Sequence, residues 1–156
     1  MENYEIERKF LVEKLPDNLH EYQKIVLEQG YLSVNPVVRV RRQDEEYYLT
    51  YKGQGLMKRE EYNLPLTKES FEHLIKKADG NIIRKNRYVI PIDNTELKIE
   101  LDVFEKPFEN LIIAEVEFES VEEADAFIMP EWFLKDVTDD KNYQNSSLSL
   151  KKIEGK

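Results

Sequence analysis

The chain has 156 residues, with 23 Lys and Arg against 32 Asp and Glu, a formal net charge of −9 and no cysteine. That length suits one domain spanning 1–156; the charge argues against sequence-independent nucleic-acid or membrane-surface binding, and the missing cysteines exclude disulfides and thiolate chemistry. No apolar run approaches a membrane span and no secretion signal opens the chain, so a cytoplasmic protein without nucleic-acid or membrane partners is expected, with a homodimer left open.

The opening segment YEIERKFLV (Tyr4–Val12) reads as a strand. Side chains alternate faces on a strand, so Glu5, Glu7 and Lys9 share one face while Ile6 and Phe10 take the other. Further strands are expected at Lys24–Val34, Val37–Arg42, Tyr47–Lys52 and Lys58–Leu64. Asn35-Pro36, Gln43-Asp44-Glu45 and Gly53-Gln54-Gly55 supply the turns between them. A helix follows in LTKESFEHLIKKADG. Thr67 can cap it, Leu66 and Phe71 have the spacing of a hydrophobic staple, and Phe71, Leu74, Ile75 and Ala78 form an apolar stripe that Gly80 is expected to end. Strands Asn81–Ile92, Glu96–Phe104 and Leu111–Glu119 come next, with Asp93-Asn94 turning between the first two. A second helix is expected in SVEEADAFIMP, where Ser120 and Glu123 are spaced as a capping box and Pro130 lies beyond the end. A short third helix is expected near Ser146–Lys152. Eight strands on mostly hairpin-length connections imply antiparallel pairing.

Charged residues recur at a spacing of two: Arg39 and Arg41, Lys85 and Arg87, Glu100 and Asp102, Glu115 and Glu117. Lys52 ends another strand, and Arg59 and Glu61 alternate on yet another. The opposite faces are apolar, as in Leu97, Ile99, Leu101 and Val103, or Ala114, Val116 and Phe118. The plain reading is an open sheet with helices on its apolar face and water on its charged face. Two features weigh against it. The signs are sorted by strand rather than mixed, and eight strands can close into a barrel that has no edges. Closure with the charges inward would crowd like charges in a low-dielectric lumen, which calls for ligands. A polyphosphate suits the Arg and Lys groups, and hard divalent cations suit the all-oxygen carboxylates. His20 and His73 stand alone in a loop and on a helix and are read as incidental.

The segment EIERKF at Glu5–Phe10 resembles the E-x-E-x-K signature of the CYTH superfamily, the triphosphate tunnel metalloenzymes. EQGYLS, VVRVRR, LTYKG, RKNRY, ELDVFE, AEVEF and VTDDKNYQNSSL follow in the order of that family. The resemblance implies an α+β fold in which an eight-stranded antiparallel β-barrel forms a tunnel with flanking helices. It implies Lys9, Arg39, Arg41, Lys52, Arg59, Lys85 and Arg87 as triphosphate binders. Glu5, Glu7, Glu61, Glu100, Asp102, Glu115 and Glu117 are implied as ligands for Mg²⁺ or Mn²⁺, and Lys9, Arg41, Lys52, Lys85 and Glu117 as carriers of the chemistry. Strand Lys58–Leu64 is charged on both faces, so its register is not legible. Asn110 stands where many relatives carry glycine; Asn tolerates the left-handed conformation, so the turn is expected to hold. The expected activity is metal-dependent hydrolysis of inorganic triphosphate, extending to nucleoside triphosphates. The rivals are a class IV type adenylate cyclase, a thiamine triphosphatase and a non-catalytic polyphosphate-binding module.

Overall fold

The computed structural model describes residues 4–151. Nine strands occur among them: β1 (Tyr4–Val12), β2 (Gln23–Val34), β3 (Val37–Gln43), β4 (Glu46–Lys52), β5 (Lys58–Pro65), β6 (Asp79–Pro91), β7 (Lys98–Phe104), β8 (Ile112–Glu117) and β9 (Phe133–Asp136). The helices are α1 (Lys68–Ile75), α2 (Val121–Ala126) and α3 (Asn145–Leu150), with 3-10 turns at Leu19–Glu21 and Lys141–Tyr143. No helix among the described residues is long and apolar enough to cross a membrane.

Strands β5-β4-β3-β2-β6-β7-β8-β1 neighbour one another in that order, all antiparallel, and β5 returns to pair with β1. The eight strands therefore close into a barrel. Closure rests on three residues of β1, with Glu5 opposite Arg59; this register puts Arg59 and Glu61 on the inner face of β5, where the sequence alone was ambiguous. The far end of the same β1 edge, Phe10 to Val12, carries β9. Strand β9 was not expected. It is four residues long, only Phe133 of it is buried, and its pairing depends on the edge that β1 leaves open above β5.

The outward faces of the barrel are its apolar faces. Phe10, Leu101, Ala114 and Val116 are fully buried there, beneath α2, Phe127 and Phe133. Helix α1 covers the other side, with Phe71 buried and packed on Tyr47. Thr67 caps α1 by accepting from the Ser70 amide, and Ser120 caps α2 by accepting from the Glu123 amide. Asn110 holds a φ of 79°, as do Asp44 and Asn94 at 52° and 63° in their turns. All three are residues that tolerate the left-handed region.

Gly80 does not end α1. The helix stops at Ile75, and Gly80 lies in β6 with a φ of 70°, so close to α3 that a Cβ would strike the Ser149 carbonyl oxygen. Strand β7 starts at Lys98 rather than Glu96, because Leu97 donates to the Thr95 hydroxyl within the turn. Helix α3 spans Asn145–Leu150; Lys152, the expected end, lies outside the described residues.

The pairing register grades the lumen along its axis. Glu7 stands opposite Glu117, Lys9 opposite Glu115 and Leu11 opposite Ile113; Arg87 stands opposite Asp102 and Lys85 opposite Phe104. Inner faces therefore run from carboxylates, through mixed charges, to the apolar Leu11, Ile83, Phe104 and Ile113. Leu148 of α3 packs on that apolar end and seals it.

Candidate active site

A narrow cavity, open at one end, runs inside the barrel. Glu5, Glu7 and Lys9 line it from β1, Arg39 and Arg41 from β3, Lys52 from β4, Arg59 and Glu61 from β5, Arg87 from β6, Glu100 from β7 and Glu115 from β8. Alternation on each strand brings these residues together, since all sit at inward positions. Three expected site residues do not line it. Lys85 and Asp102 are buried in the wall, and Glu117 lies at the carboxylate end, in a second concavity shared with Glu100. Neither His20 nor His73 lines the cavity.

The cations fall into two classes. Asp102, fully buried, binds Arg87 through both oxygens at 2.8 and 2.9 Å and Lys85 at 2.7 Å. Arg87 also meets Glu115 at 3.1 Å and Glu100 at 3.4 Å, while Lys9 meets Glu115 at 3.5 Å and Lys52 meets Glu5 at 2.9 Å. These charges compensate one another. Burial would raise the Asp102 and Glu115 carboxyls, but the surrounding cations hold both below their ordinary range. Burial pulls Lys85 down to about 8 against the attraction of Asp102.

Arg39, Arg41 and Arg59 form the second class. Among the described residues, no carboxylate lies within ion-pairing distance of any of them. Arg41 donates to the Gln29 carbonyl at 3.0 Å, Arg39 to the Thr50 hydroxyl at 3.5 Å and Arg59 to the Gly53 carbonyl at 3.3 Å, all neutral acceptors. Burial, with Arg39 and Arg87 nearby, lowers Arg41 to about 9, so it remains a cation at neutral pH. Three guanidiniums without a carboxylate at contact distance share one cavity, an arrangement whose chemistry suits an anion of several charges.

The carboxylates show the opposite excess. Burial, then Glu115 and Glu5, push Glu7 well above its ordinary value; burial, then Glu5, Glu100 and Glu61, push Glu117 up to about 7. Among the described residues no cation pairs with either at contact distance. Among the described residues no three acidic or histidine side chains form a ready cation cage, because Glu5 and Glu115 are held by Lys52, Lys9 and Arg87. The donor chemistry nonetheless fits a hard divalent cation: every candidate ligating group is a carboxylate oxygen, and for Glu7 and Glu117 the attraction of nearby lysines is outweighed by burial and neighbouring carboxylates.

The model of the CYTH domain matches residues 3–150. The chain belongs to the CYTH family. An inorganic triphosphatase of Nitrosomonas europaea is 41% identical over 149 residues, covering 94% of this chain and 97% of that protein. One of Acetivibrio thermocellus is 36% identical over 152 residues, covering 92% of each. A crystal structure of an inorganic triphosphatase superposes with a TM-score of 0.71 at 38% identity, covering 95% of both chains. A Hippeastrum protein with a dominant triphosphatase activity shares the fold at a TM-score of 0.60 and 18% identity, over 78% of this chain and 82% of that one.

In this CYTH barrel the cavity has lining that sequence reasoning missed: Tyr31 and Val37 from the sheet, and Gln144, Asn145 and Ser146 from the segment entering α3. Lys9 donates to the Tyr143 carbonyl at 3.3 Å and Lys85 to the Asn145 side chain at 3.2 Å, so this segment closes the sealed end. All five fell inside family motifs, Tyr31 in EQGYLS, Val37 in VVRVRR and the rest in VTDDKNYQNSSL, but they carry no charge and so escaped a reading built on charge.

Proposed function

We propose that this CYTH protein is a single-domain, cytoplasmic, metal-dependent hydrolase of inorganic triphosphate. The observation that carries the reading is the trio Arg39, Arg41 and Arg59, which among the described residues meet no carboxylate at contact distance, in a cavity of the closed barrel that also holds Lys9, Lys52 and Arg87. Support also comes from the two relatives at 41% and 36% identity, both inorganic triphosphatases. Among the described residues Tyr31 is the one aromatic side chain in the lining, and the rest of the lining is dominated by charged groups, which favours a bare phosphate chain over ATP or thiamine triphosphate.

Phosphoryl transfer asks a protein mainly for positioning and charge neutralisation. Arg39, Arg41 and Arg59 grip the phosphate oxygens with charges that no carboxylate cancels. Lys9, Lys52 and Arg87, already held by Glu115, Glu5 and Asp102, place further donors along the chain. Glu5, Glu7, Glu115 and Glu117 would hold Mg²⁺ or Mn²⁺, which supplies charge neutralisation at phosphate and acidifies a bound water. Asp102, engaged by Arg87 and Lys85, serves as their counter-charge. The sealed apolar end leaves the carboxylate end as the route in, and the polar lining excludes apolar competitors.

The test is phosphate release from triphosphate, pyrophosphate, ATP and thiamine triphosphate, each with Mg²⁺ and with Mn²⁺, and cyclic AMP followed in the ATP sample. Triphosphate should be turned over at least tenfold faster than the others, and Glu7→Gln should abolish this turnover while leaving the fold intact. Equal rates on ATP and triphosphate, or cyclic AMP formation, would refute the substrate assignment.

A further inference from the structure

Gln29 is fully buried on the inner face of β2, directly opposite Arg41 on β3. Its carbonyl oxygen accepts from Arg41 Nε at 3.0 Å. That contact dictates the amide orientation: the flipped arrangement would set a donor against a donor. The amide nitrogen, Nε2, is then left buried without any partner among the described residues. An orphaned buried donor destabilises a fold. A methionine or leucine would remove that orphan but would leave Arg41 Nε without its acceptor, so the amide serves to hold Arg41 rather than to fill space.

The neighbouring strand repeats the arrangement. Arg39, also buried, donates to the neutral Thr50 hydroxyl and leaves its own Nε without a partner. Both guanidiniums are thus held by neutral acceptors, whereas Arg87 and Lys85 are held by carboxylates. A carboxylate at position 29 would hold Arg41 more tightly and would cancel its charge. A neutral amide fixes the geometry and leaves the charge for an anion.

We propose that Gln29 is a positioning residue for the phosphate chain: it orients Arg41 through a neutral acceptor so that the guanidinium presents its full charge to the cavity. The inference rests on the triphosphate reading above. It acts through Arg41 and concerns binding before chemistry, so its main signature lies in affinity and KM, with kcat less affected.

Two variants separate this role from a packing role. Gln29→Met keeps the stem and removes both amide groups; Gln29→Glu keeps the acceptor and adds a cancelling charge. Each is compared with wild type by calorimetric titration with triphosphate, by steady-state kinetics and by ligand-free melting. In Gln29→Met one orphaned donor, Gln29 Nε2, is exchanged for another, Arg41 Nε, so the ligand-free melting temperature should change little, while Kd and KM for triphosphate rise about tenfold. Gln29→Glu should melt higher and bind at least as weakly. In an Arg41→Ala background, Gln29→Met should change affinity no further. Wild-type affinity in Gln29→Met, or affinity and ligand-free stability falling together, overturns the proposal. So does an effect that simply adds to that of Arg41→Ala. Wild type failing to bind triphosphate removes the substrate reading and this inference with it, a result distinct from a wild type that binds and a Gln29 that does not matter.

Discussion

Replacing Asp102 by asparagine keeps the shape of the side chain and removes one charge from the centre of the barrel wall. Asp102 has no solvent exposure and accepts from Arg87 at 2.8 and 2.9 Å and from Lys85 at 2.7 Å. Glu115 and Glu100 remain to Arg87 after the change, but Lys85 loses its one contact carboxylate among the described residues and keeps neutral partners, the Asn145 oxygen at 3.2 Å and the Phe104 ring at 5.2 Å. Breaking a buried pair by removing one partner costs about 3–5 kcal/mol. With an m-value of about 2 kcal/mol/M, the urea midpoint should fall by roughly 2 M, read by far-UV circular dichroism. The loss should depend on pH with a defined sign. Burial already lowers Lys85 to about 8, and without Asp102 it falls further. A base depressed in the folded state destabilises most below its folded pKa and least above its unfolded one. The gap between wild type and Asp102→Asn should therefore be larger at pH 6.5 than at pH 9. Removing both ends, in Lys85→Met with Asp102→Asn, should recover part of the loss. A stable Asp102→Asn would refute the reasoning, because it would place Asp102 with the unpaired carboxylates, whose loss relieves repulsion.

Glu117→Gln tests that opposite case. Burial and three neighbouring glutamates raise Glu117 to about 7, so its charged form weakens the ligand-free fold above that pH and its protonated form does not below about pH 5. The variant should be more stable than wild type at pH 8, by about 1 kcal/mol once the partial exposure of the group is allowed for, and equal to it at pH 5 in thermal melts. Gly80→Ala should loosen α3 from the barrel, since its Cβ would meet the Ser149 carbonyl at a φ of 70°. The expected loss is about 1–3 kcal/mol, with faster amide exchange confined to α3 and the start of β6 by mass spectrometry; uniform exchange over the barrel would contradict it.

Alternation with a period of two is a property of the single strand, so it can be read without knowing what the strand pairs with. That is why Glu5, Glu7 and Lys9, Arg39 and Arg41, and Glu100 and Asp102 were legible as inward sets, and Phe10, Leu101 and Val116 as the outward core. Caps are equally local, and Thr67 and Ser120 act where their sequences place them. The sorting of signs by strand and the ordered motifs together pointed to a closed barrel of the CYTH type. Which charges cancel was not legible. Alternation places Lys85 and Arg39 on the same luminal surface, yet one is locked to Asp102 and the other, among the described residues, meets no carboxylate at contact distance. That difference comes from the stagger between strands far apart in sequence, as when closure sets Glu5 opposite Arg59. The same applies to residues with no charge to announce them. Gln29 and Tyr31 acquire their place from the register with β3, Asn145 from the docking of α3, and β9 from the edge of β1 left unpaired. Electrostatic roles depend on distances of a few ångströms in a low-dielectric interior, and only the folded chain sets those distances.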